Sequence, residues 1–438
     1  MRIKISDMNN FLETFNTIYS KNTIKAINGI SIDSRVIEKN DIFIPLKGKS
    51  FDGHSFINKV LKTEGTICFN ENNIIKNKRI INTKSNKDAI FKLASLWRKK
   101  LNSKVIAITG SNGKTTTKEL LFHVLSKKYK CSKSEGNHNS IIGLPLTMLN
   151  CNLNDDYTIL ELGANKKGEI ATLSDLAKPD YSIITNISNN HIENFDSFKD
   201  LIETKAAIFK KLKKDAIAFI NLDDKEISKM KMSNEKVTFG INNSKCDYSA
   251  SINENKLKIN QTIFKIPKHL SHLINSILSV YAISNTLNID NSQFQIALNT
   301  FQIPKGRGNL IINNNYTIIN DAYNASPSSM ELGIKRFSSL HSKNKKILII
   351  GDMLELGEQS LIEHIKLGQF INNFKIDIVL TFGRKIKDTF LNLDDSYFYK
   401  KHFQDISLLK KTFLKLVAEN DLVYLKGSRS MKLERIFE

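Results

Sequence analysis

The 438-residue sequence predicts an α/β protein with three domains, and three observations support this fold class. The chain is too long for a single domain, since domains usually hold about 100–200 residues. From residue 105 onward, short apolar runs alternate with helix-forming segments, a pattern typical of parallel sheets. A glycine-rich loop separates one such run from the helix after it. We expect the domains at residues 1–100, 101–305 and 306–438.

The composition predicts a soluble cytoplasmic protein. Apolar residues make up 41% of the chain, but no run reaches the roughly 18 apolar residues that span a membrane. The N-terminal stretch MRIKISDMNNFLETF lacks the apolar region of a signal peptide. The four cysteines show no C-x-x-C spacing, so we expect neither zinc nor disulfides. The net charge of +21 is spread along the chain without a nucleic-acid-binding signature, so we expect no nucleic-acid partner.

In the first domain, the stretch ISIDSRVIEKNDIFIPL predicts two short strands around a polar loop. Ser34 and Arg35 lie in this loop, and Asp41–Leu46 alternates like a strand. A guanidinium can bind a phosphate through two hydrogen bonds, although a solvated turn is the simpler interpretation of these residues alone. Ile90–Lys100 has helical spacing and leads into the central domain.

The central domain begins with a loop that follows the predicted buried strand Val105–Ile108. Glycines let the backbone approach phosphates closely, and the loop amides and helix N-terminus attract anions. Lys114 adds a positive charge, and Thr115 offers a hydroxyl to a phosphate-bound Mg²⁺. An ordinary glycine turn is the alternative, because Ile108 replaces the first glycine of the Walker pattern. The phosphate-binding candidates are Gly110, Ser111, Asn112, Gly113, Lys114, Thr115 and Thr116.

Polar residues follow the next two predicted strands. Tyr157–Leu162 carries Glu161 near its end, and Tyr181–Thr185 is followed by Asn186. Because ligands bind beyond the carboxyl ends of parallel strands, we expect these side chains to gather with Lys114 at one site. Glu161 would suit Mg²⁺, which prefers one or two carboxylates together with phosphate oxygens, and a solvated carboxylate is the alternative.

Two further residues of the central domain are ambiguous when taken alone. His191 lies in the polar loop after Asn186, and Lys205 lies on the predicted helix after that loop. Taken alone, His191 is better explained as a packed or solvated histidine, and Lys205 as part of a charged helix face. A further strand is predicted at Ala216–Ile220.

The third domain repeats the alternation of strands and helices. Its predicted strands are Tyr316–Ile319, Lys346–Ile350, Asp377–Thr381 and Leu422–Leu425. Asp321 and Asp352 follow two of these strands, where each could bind a ribose hydroxyl or hold a loop. The stretch IPKGRG at Ile303–Gly308 looks like a hinge into this domain.

These motifs occur together, in the same order, in a known enzyme family. The sequence resembles the Mur ligases of peptidoglycan synthesis over nearly its whole length. The matching stretches are DSR and DGH in the first domain, TGSNGKTTTKE, GNHNSIIGLP, ELGANKKGEI and His191 with Lys205 in the second, and DAYNASPSSM, GDMLELGE and LKGSRSMKLE in the third.

The resemblance implies an N-terminal UDP-binding α/β domain, a central ATPase-like domain with a phosphate loop and parallel sheet, and a C-terminal Rossmann-like domain. It implies a ligase that uses ATP and Mg²⁺ to join D-alanyl-D-alanine to UDP-N-acetylmuramoyl-tripeptide (UDP-MurNAc-tripeptide) through an acyl phosphate. We expect a monomer without a membrane span. The resemblance assigns catalytic roles to Lys114, Lys205, His191 and Arg307. It assigns Mg²⁺ binding to Thr115, Glu161, His191 and a Lys205 that carries a carbamate.

The resemblance also assigns binding residues outside the phosphate loop. Further nucleotide contacts fall to Asn275, Asp321, Asn324 and Asp352. Substrate contacts fall to Ser34, Arg35, Asn137, Asn139, Asn165, Lys426, Ser428 and Arg429. A carbamate on Lys205 requires a lowered pKa, since at the usual pKa near 10.4 only about 1 amine in 2,500 is neutral at pH 7.

Four positions depart from the family pattern. Ser140, Ala207 and Ser326 replace residues usual there, and His272 stands where an adenine-contacting asparagine is expected. The alternatives are a related amide ligase, either the one adding the third residue or a folylpolyglutamate synthase; a P-loop ATPase acting as a switch or motor; and a basic nucleic-acid-binding protein. The motifs DAYNASPSSM and GDMLELGE, without a D-N-P-R-like motif, favour the dipeptide-adding ligase.

Overall fold

The computed structural model describes residues 1–19, 24, 26–48, 51–72, 74–188, 192–313 and 315–437. Three sheets with helices packed against them make up this part of the chain, and the predicted α/β class is confirmed. The sheets draw their strands from residues 2–82, 104–265 and 309–426 respectively. No helix within these described ranges is long and apolar enough to cross a membrane.

The first sheet has five strands in sequence order, and only its first pair is antiparallel. Its elements are β1 (Arg2–Lys4), α1 (Met8–Ile18), β2 (Gly29–Ser31), β3 (Asp41–Phe43), α2 (Ile57–Val60), β4 (Ile67–Asn70), β5 (Ile80–Asn82) and α3 (Asn86–Lys100). Helix α3 begins a turn earlier than its apolar spacing predicts, because Ser85 caps it by accepting a hydrogen bond from the Asp88 amide. The predicted strand Asp41–Leu46 is too long, because the Leu46 carbonyl accepts a turn hydrogen bond from the Gly53 amide.

The second sheet has nine strands in the order β14-β13-β12-β11-β10-β9-β6-β8-β7. The strands are β6 (Lys104–Thr109), β7 (Cys131–Lys133), β8 (Tyr157–Glu161), β9 (Tyr181–Ile184), β10 (Ile217–Asn221), β11 (Glu235–Ile241), β12 (Tyr248–Asn253), β13 (Lys256–Ile259) and β14 (Thr262–Lys265). The helices are α4 (Lys114–Leu125), α5 (Gly143–Leu149), α6 (Glu169–Ala177), α7 (Phe198–Lys210), α8 (Ile274–Thr286) and α9 (Asn291–Thr300). Strands β6 to β12 pair in parallel, whereas β13 and β14 form an antiparallel extension.

The third sheet has six strands in the order β15-β16-β20-β17-β18-β19, all parallel except the edge strand β15. The strands are β15 (Asn309–Ile312), β16 (Thr317–Asn320), β17 (Lys346–Gly351), β18 (Ile378–Phe382), β19 (Tyr399–Phe403) and β20 (Leu422–Lys426). The helices are α10 (Pro327–Ser339), α11 (Ser360–Ile371), α12 (Lys387–Leu391) and α13 (Ile406–Leu416).

The buried apolar strands position the functional loops. The central residues of β6, Val105 to Ile108, have no exposed surface and lie between β8 and β9. Because β6, β8 and β9 run in parallel, their carboxyl ends meet at one edge of the sheet. Glu161 ends β8 at this edge, and Gly110 and Asn186 follow β6 and β9.

Candidate active site

A cavity of about 600 Å³ lies at this edge, between the central sheet and the third sheet. The hinge residues Gly306 and Arg307 form part of its wall, so segments that are far apart in the sequence meet there. Of the predicted site residues, its wall contains Gly110, Ser111, Asn112, Gly113, Lys114, Thr115, Thr116, Asn137, Asn139, Glu161, Asn165, Lys205, Arg307, Asp321, Asn324 and Lys426.

The loop between β6 and α4 has a backbone that only glycine adopts readily. Gly110 has φ +145°, and a Cβ there would lie 2.0 Å from the Thr185 hydroxyl oxygen. Gly113 has φ +79° and forms the N-cap of α4. Asn186 stabilises the loop through two hydrogen bonds. Its backbone carbonyl accepts one from the Ser111 amide (2.8 Å), and its side-chain oxygen accepts one from the Asn112 amide (3.0 Å).

Lys114 is the cation of this loop. Its ammonium donates to the carbonyls of Gly110 (2.8 Å) and Ser111 (3.1 Å). Burial lowers the pKa of Lys114, the carboxylate of Glu161 raises it, and the charge of Arg307 lowers it further. The two hydrogen bonds hold the amine of Lys114 beside the loop, where a bound polyphosphate would lie.

Glu161 is 2% exposed, and its two carboxylate oxygens have different surroundings. Oε1 accepts a hydrogen bond from Nδ2 of Asn139 (2.7 Å). Oε2 is inaccessible to solvent and has no hydrogen-bond donor in the described part of the chain. A buried carboxylate oxygen without a donor suits a hard cation, which binds oxygen ligands, so the residues fit Mg²⁺ here.

Lys205 lies on α7 and is 7% exposed. Its amine donates to the carbonyl of Gly110 in the phosphate loop (3.2 Å). Burial, and after it the charge of Lys114, lowers the pKa of Lys205 to about 7. About half of these amines are therefore neutral at pH 7, against about 1 in 2,500 for an ordinary lysine.

Hydrogen bonds join the third domain to the central one. Nη2 of Arg307 donates to the Thr115 hydroxyl (3.1 Å), and its guanidinium lies 3.6 Å from the centre of the Tyr323 ring. Asn112 donates to the Ser328 hydroxyl (3.3 Å). The Gly357 amide donates to the carboxylate of Glu193 (2.8 Å). The third domain is therefore closed over the phosphate loop.

An ion pair forms the wall of the third domain. Lys426 donates to Asp321 (2.7 Å) and to the carbonyl of Asn324 (3.1 Å). The Tyr424 hydroxyl donates to the same Asp321 oxygen (2.7 Å), and burial raises the pKa of Tyr424 well above its usual value. Asp321 and Lys426 therefore line the cavity as an ion pair, and neighbouring groups hold both side chains by hydrogen bonds.

Several predicted site residues lie away from the cavity wall. Asp352 holds a loop instead, because its carboxylate accepts from the amides of Arg384 (3.2 Å) and Ile386 (2.8 Å). The Ser428 hydroxyl accepts from the Leu354 amide (2.9 Å), and Arg429 pairs with Glu434 (2.5 Å).

Other residues singled out in the sequence lie outside the cavity wall or outside the described residues. Ser34 and Arg35 are in the first domain, where Arg35 is 82% exposed and pairs with Asp33. Asn275 is exposed at the start of α8. Burial and the charge of Arg336 lower the pKa of His272 to about 3, so its ring is neutral. His191 lies outside the described residues.

Sequence reasoning missed Lys118, Tyr323 and Lys87. Lys118 is fully buried behind Glu161, Tyr323 stacks on Arg307, and Lys87 reaches the cavity wall from the first domain. Lys118 follows Lys114 by four residues on a predicted helix, which places both on one face and could have revealed it. No local signal marks Lys87.

Together, the three α/β sheets and the glycine-rich loop at a cavity between domains define an α/β protein of the P-loop class. Three family descriptions match this chain: "Mur ligase family, catalytic domain" at residues 26–93, "Mur ligase middle domain" at 108–288 and "Mur ligase, glutamate ligase domain" at 306–429. The chain belongs to the Mur ligase family.

Individual relatives are similar over the full length. UDP-N-acetylmuramoyl-tripeptide–D-alanyl-D-alanine ligase of Bacillus subtilis is 34% identical, with 94% of this chain and 92% of that protein covered. The crystal structure of MurF ligase from Thermotoga maritima in complex with ADP is 28% identical, with a TM-score of 0.81 over 93% of this chain and 96% of that one. MurF from Acinetobacter baumannii, 24% identical, shares the fold with a TM-score of 0.85 over 100% and 98%.

Proposed function

We propose that this protein is an ATP-dependent ligase that joins D-alanyl-D-alanine to UDP-MurNAc-tripeptide. The relatives that match over nearly the full length carry that activity in their names, and the family motifs in the sequence point to it as well. The observation that carries the proposal is the contact of Lys205 with the phosphate loop, beside Lys114 and Glu161, in a cavity closed by Arg307. The domains are taken as residues 1–100, 101–305 and 306–438.

The cavity suits a reaction between two anions. A carboxylate that attacks a triphosphate brings like charges together, at roughly 4 kcal/mol per unit pair at about 4 Å and an effective dielectric near 20. Lys114 and Arg307 supply positive charge around the phosphate loop, beside the carboxylate of Glu161. These cations offset the repulsion and stabilise the charge on the transferring phosphoryl group.

Thr115 and Glu161 would hold Mg²⁺, with the phosphate oxygens of the nucleotide completing its ligands. His191 is proposed as a further ligand by family resemblance only, since it lies outside the described residues. When bound, Mg²⁺ would neutralise charge on the phosphate oxygens.

Lys205 is proposed to carry a carbamate. Its neutral amine adds CO₂, an N–C bond forms, and one proton leaves to solvent. The lowered pKa of about 7 makes the neutral amine available under ordinary conditions. The product is an anion that can join the oxygen ligands of Glu161 and Thr115.

The proposed chemistry is amide formation in two steps. An oxygen of the tripeptide carboxylate attacks the γ-phosphorus of ATP, the bond to the bridging oxygen breaks, and ADP leaves with an acyl phosphate formed. The amine of D-alanyl-D-alanine then attacks the acyl carbon, loses a proton, and phosphate leaves from the tetrahedral intermediate. Lys114 and Arg307 face the position where negative charge moves.

The residues that the family resemblance assigns to substrate binding are proposed in that role. Ser34 and Arg35 would bind the uridine diphosphate in the first domain. The amides of Asn137, Asn139 and Asn165 would orient the peptide at the cavity wall, and Lys426 with Ser428 and Arg429 would bind the dipeptide from the third domain. We propose further that the protein acts in the cytoplasm as a monomer.

A panel of acceptors tests the proposed function. The purified protein, ATP and Mg²⁺ are mixed with UDP-MurNAc-tripeptide or with the dipeptide form of this nucleotide, and with D-alanyl-D-alanine, diaminopimelate or lysine. Mass spectrometry should find UDP-MurNAc-pentapeptide only with the tripeptide and D-alanyl-D-alanine. A tripeptide product from the dipeptide would show instead the ligase that adds the third residue. In a separate mixture of a folate and glutamate with ATP and Mg²⁺, addition of glutamate to the folate would show a folylpolyglutamate synthase.

A further inference from the structure

Lys118 lies on α4 one turn after Lys114, and its side chain has no exposed surface. A buried ammonium is unfavourable unless every donor finds a partner. Its Nζ donates to the carbonyls of Ser134 (2.5 Å) and Gly136 (3.1 Å), and Oε1 of Glu119 lies 3.0 Å away. The three donors of the ammonium therefore have three partners.

The segment that Lys118 binds is the one that holds Glu161. The Ser134 hydroxyl accepts a hydrogen bond from the Glu161 amide (3.0 Å). Three residues beyond Gly136, Nδ2 of Asn139 donates to Oε1 of the same glutamate (2.7 Å). Lys118 thus connects α4 to the segment 134–139. This segment in turn hydrogen-bonds to the backbone amide and to one carboxylate oxygen of Glu161.

The other oxygen of Glu161 is buried and has no hydrogen-bond donor among the described residues. Nζ of Lys118 lies 3.8 Å from Oε2, which is beyond hydrogen-bond distance. The partners at Ser134, Gly136 and Glu119 hold the ammonium at that distance. Lys118 therefore offsets part of the negative charge of Glu161 without occupying the oxygen that a cation would bind.

We propose that Lys118 is a positioning residue, which keeps Oε2 of Glu161 open and correctly oriented for the divalent cation that accompanies the nucleotide. This inference rests on the proposed function. Residues that orient a metal ligand typically change metal affinity by about 10–100-fold when they are replaced.

Lys118→Met tests this inference, with Lys133→Met as the matched control. The Lys133 side chain also pairs with Glu119, and its amine lies 4.7 Å from the centre of the Phe122 ring. Within the described residues, this side chain forms no hydrogen bond or ion pair with Glu161 or with residues 134–136. Both variants remove one lysine from the same charged group, and only one of them releases the segment that grips Glu161.

Binding of Mn²⁺ to the protein with ADP is measured by electron paramagnetic resonance, with ADP alone as the blank. Lys118→Met should weaken Mn²⁺ binding by about tenfold or more, and Lys133→Met should leave it within about twofold of the wild type. Binding of ADP in the presence of EDTA should be the same in all three proteins. Raised Mg²⁺ should restore phosphate release by Lys118→Met, a rescue that a merely structural role would not give.

Wild-type Mn²⁺ affinity in a folded Lys118→Met protein, or equal losses in both variants, would overturn the inference. If Lys118→Met does not fold, Lys118→Gln, whose amide can still donate to one carbonyl, carries the same prediction. If neither folds, Lys118 serves folding alone and the inference is wrong. A wild type that binds Mn²⁺ and ADP but joins no substrates would overturn the proposed function and leave this test intact.

Discussion

The guanidinium of Arg307 donates a hydrogen bond to the Thr115 hydroxyl at 3.1 Å, across 192 residues of sequence. Thr115 belongs to the phosphate loop, and Arg307 belongs to the segment that leads into the third sheet. Gly306 (φ +75°) and Gly308 (φ +88°) flank the arginine with backbone that favours glycine. The contact therefore connects the hinge directly to the loop expected to bind ATP.

Arg307→Ala should lower kcat by about 10²–10³, because it removes one cation that faces the transferring phosphoryl group. The KM for UDP-MurNAc-tripeptide should change little, since the first domain is untouched. Initial rates of phosphate release measure both constants. Lys305→Ala, an exposed lysine two residues away, is the control and should keep wild-type rates. Equal kcat values for Arg307→Ala and the wild type would contradict the role given to Arg307.

Lys205→Ala should be almost inactive and should regain part of its activity when a short carboxylic acid is added, because the acid replaces the carbamate. Lys210→Ala, which removes an exposed lysine from the same helix, should stay active with or without the acid. In the wild type, ¹³C NMR under labelled bicarbonate should show a carbamate signal that the variant lacks. The absence of both signal and rescue would exclude the carbamate.

The lowered pKa of Lys205 also predicts how stability depends on pH. Between about pH 7 and pH 10, the unfolded chain holds a proton on this amine that the folded chain has lost. The free energy of unfolding should therefore increase more steeply with pH in the wild type than in Lys205→Met. The difference between the two slopes should be about 1.4 kcal/mol per pH unit. Denaturant unfolding in CO₂-free buffers measures both slopes. Identical slopes would show that the pKa of Lys205 is not lowered.

Arg35→Ala should raise the KM for UDP-MurNAc-tripeptide by about tenfold or more, as loss of a charge-assisted hydrogen bond to phosphate does. The KM for ATP should not change. Arg35 is 82% exposed and pairs with Asp33, so its removal should not affect folding. Lys39→Ala is a control in the same domain, since this exposed lysine pairs only with the exposed Glu64 among the described residues. An unchanged KM in Arg35→Ala would place the uridine diphosphate elsewhere.

The sequence predicted those parts of the fold that depend on local patterns. The eight strands with continuous apolar runs in the central and third domains, such as Lys104–Thr109, agree with prediction to within one residue at each end. Strands β11 to β14 were not predicted, because several of their residues are exposed and their apolar runs are short or interrupted. Their pairing depends on packing against the rest of the sheet.

The positions of site residues could be predicted where the ends of parallel strands converge. They could not be predicted where contacts between distant parts of the chain determine the position of a side chain. Glu161 and the phosphate loop follow adjacent parallel strands, so their meeting follows from topology. For Asp352 the sequence left a ribose contact and a loop contact equally open, and the partners at Arg384 and Ile386 depend on a separate strand. The burial of Lys118 likewise could not be predicted from the sequence, because its carbonyl partners belong to a segment outside its own helix.

Phosphate release from ATP and Mg²⁺, with each substrate omitted in turn, tests the central claim most directly. The account predicts phosphate release only when UDP-MurNAc-tripeptide and D-alanyl-D-alanine are both present. The amount of phosphate released should equal the amount of UDP-MurNAc-pentapeptide formed. A Lys114→Ala protein measures the background release. Release with neither substrate would show a plain ATPase. Bound ATP without release in the complete mixture would contradict the assigned substrates.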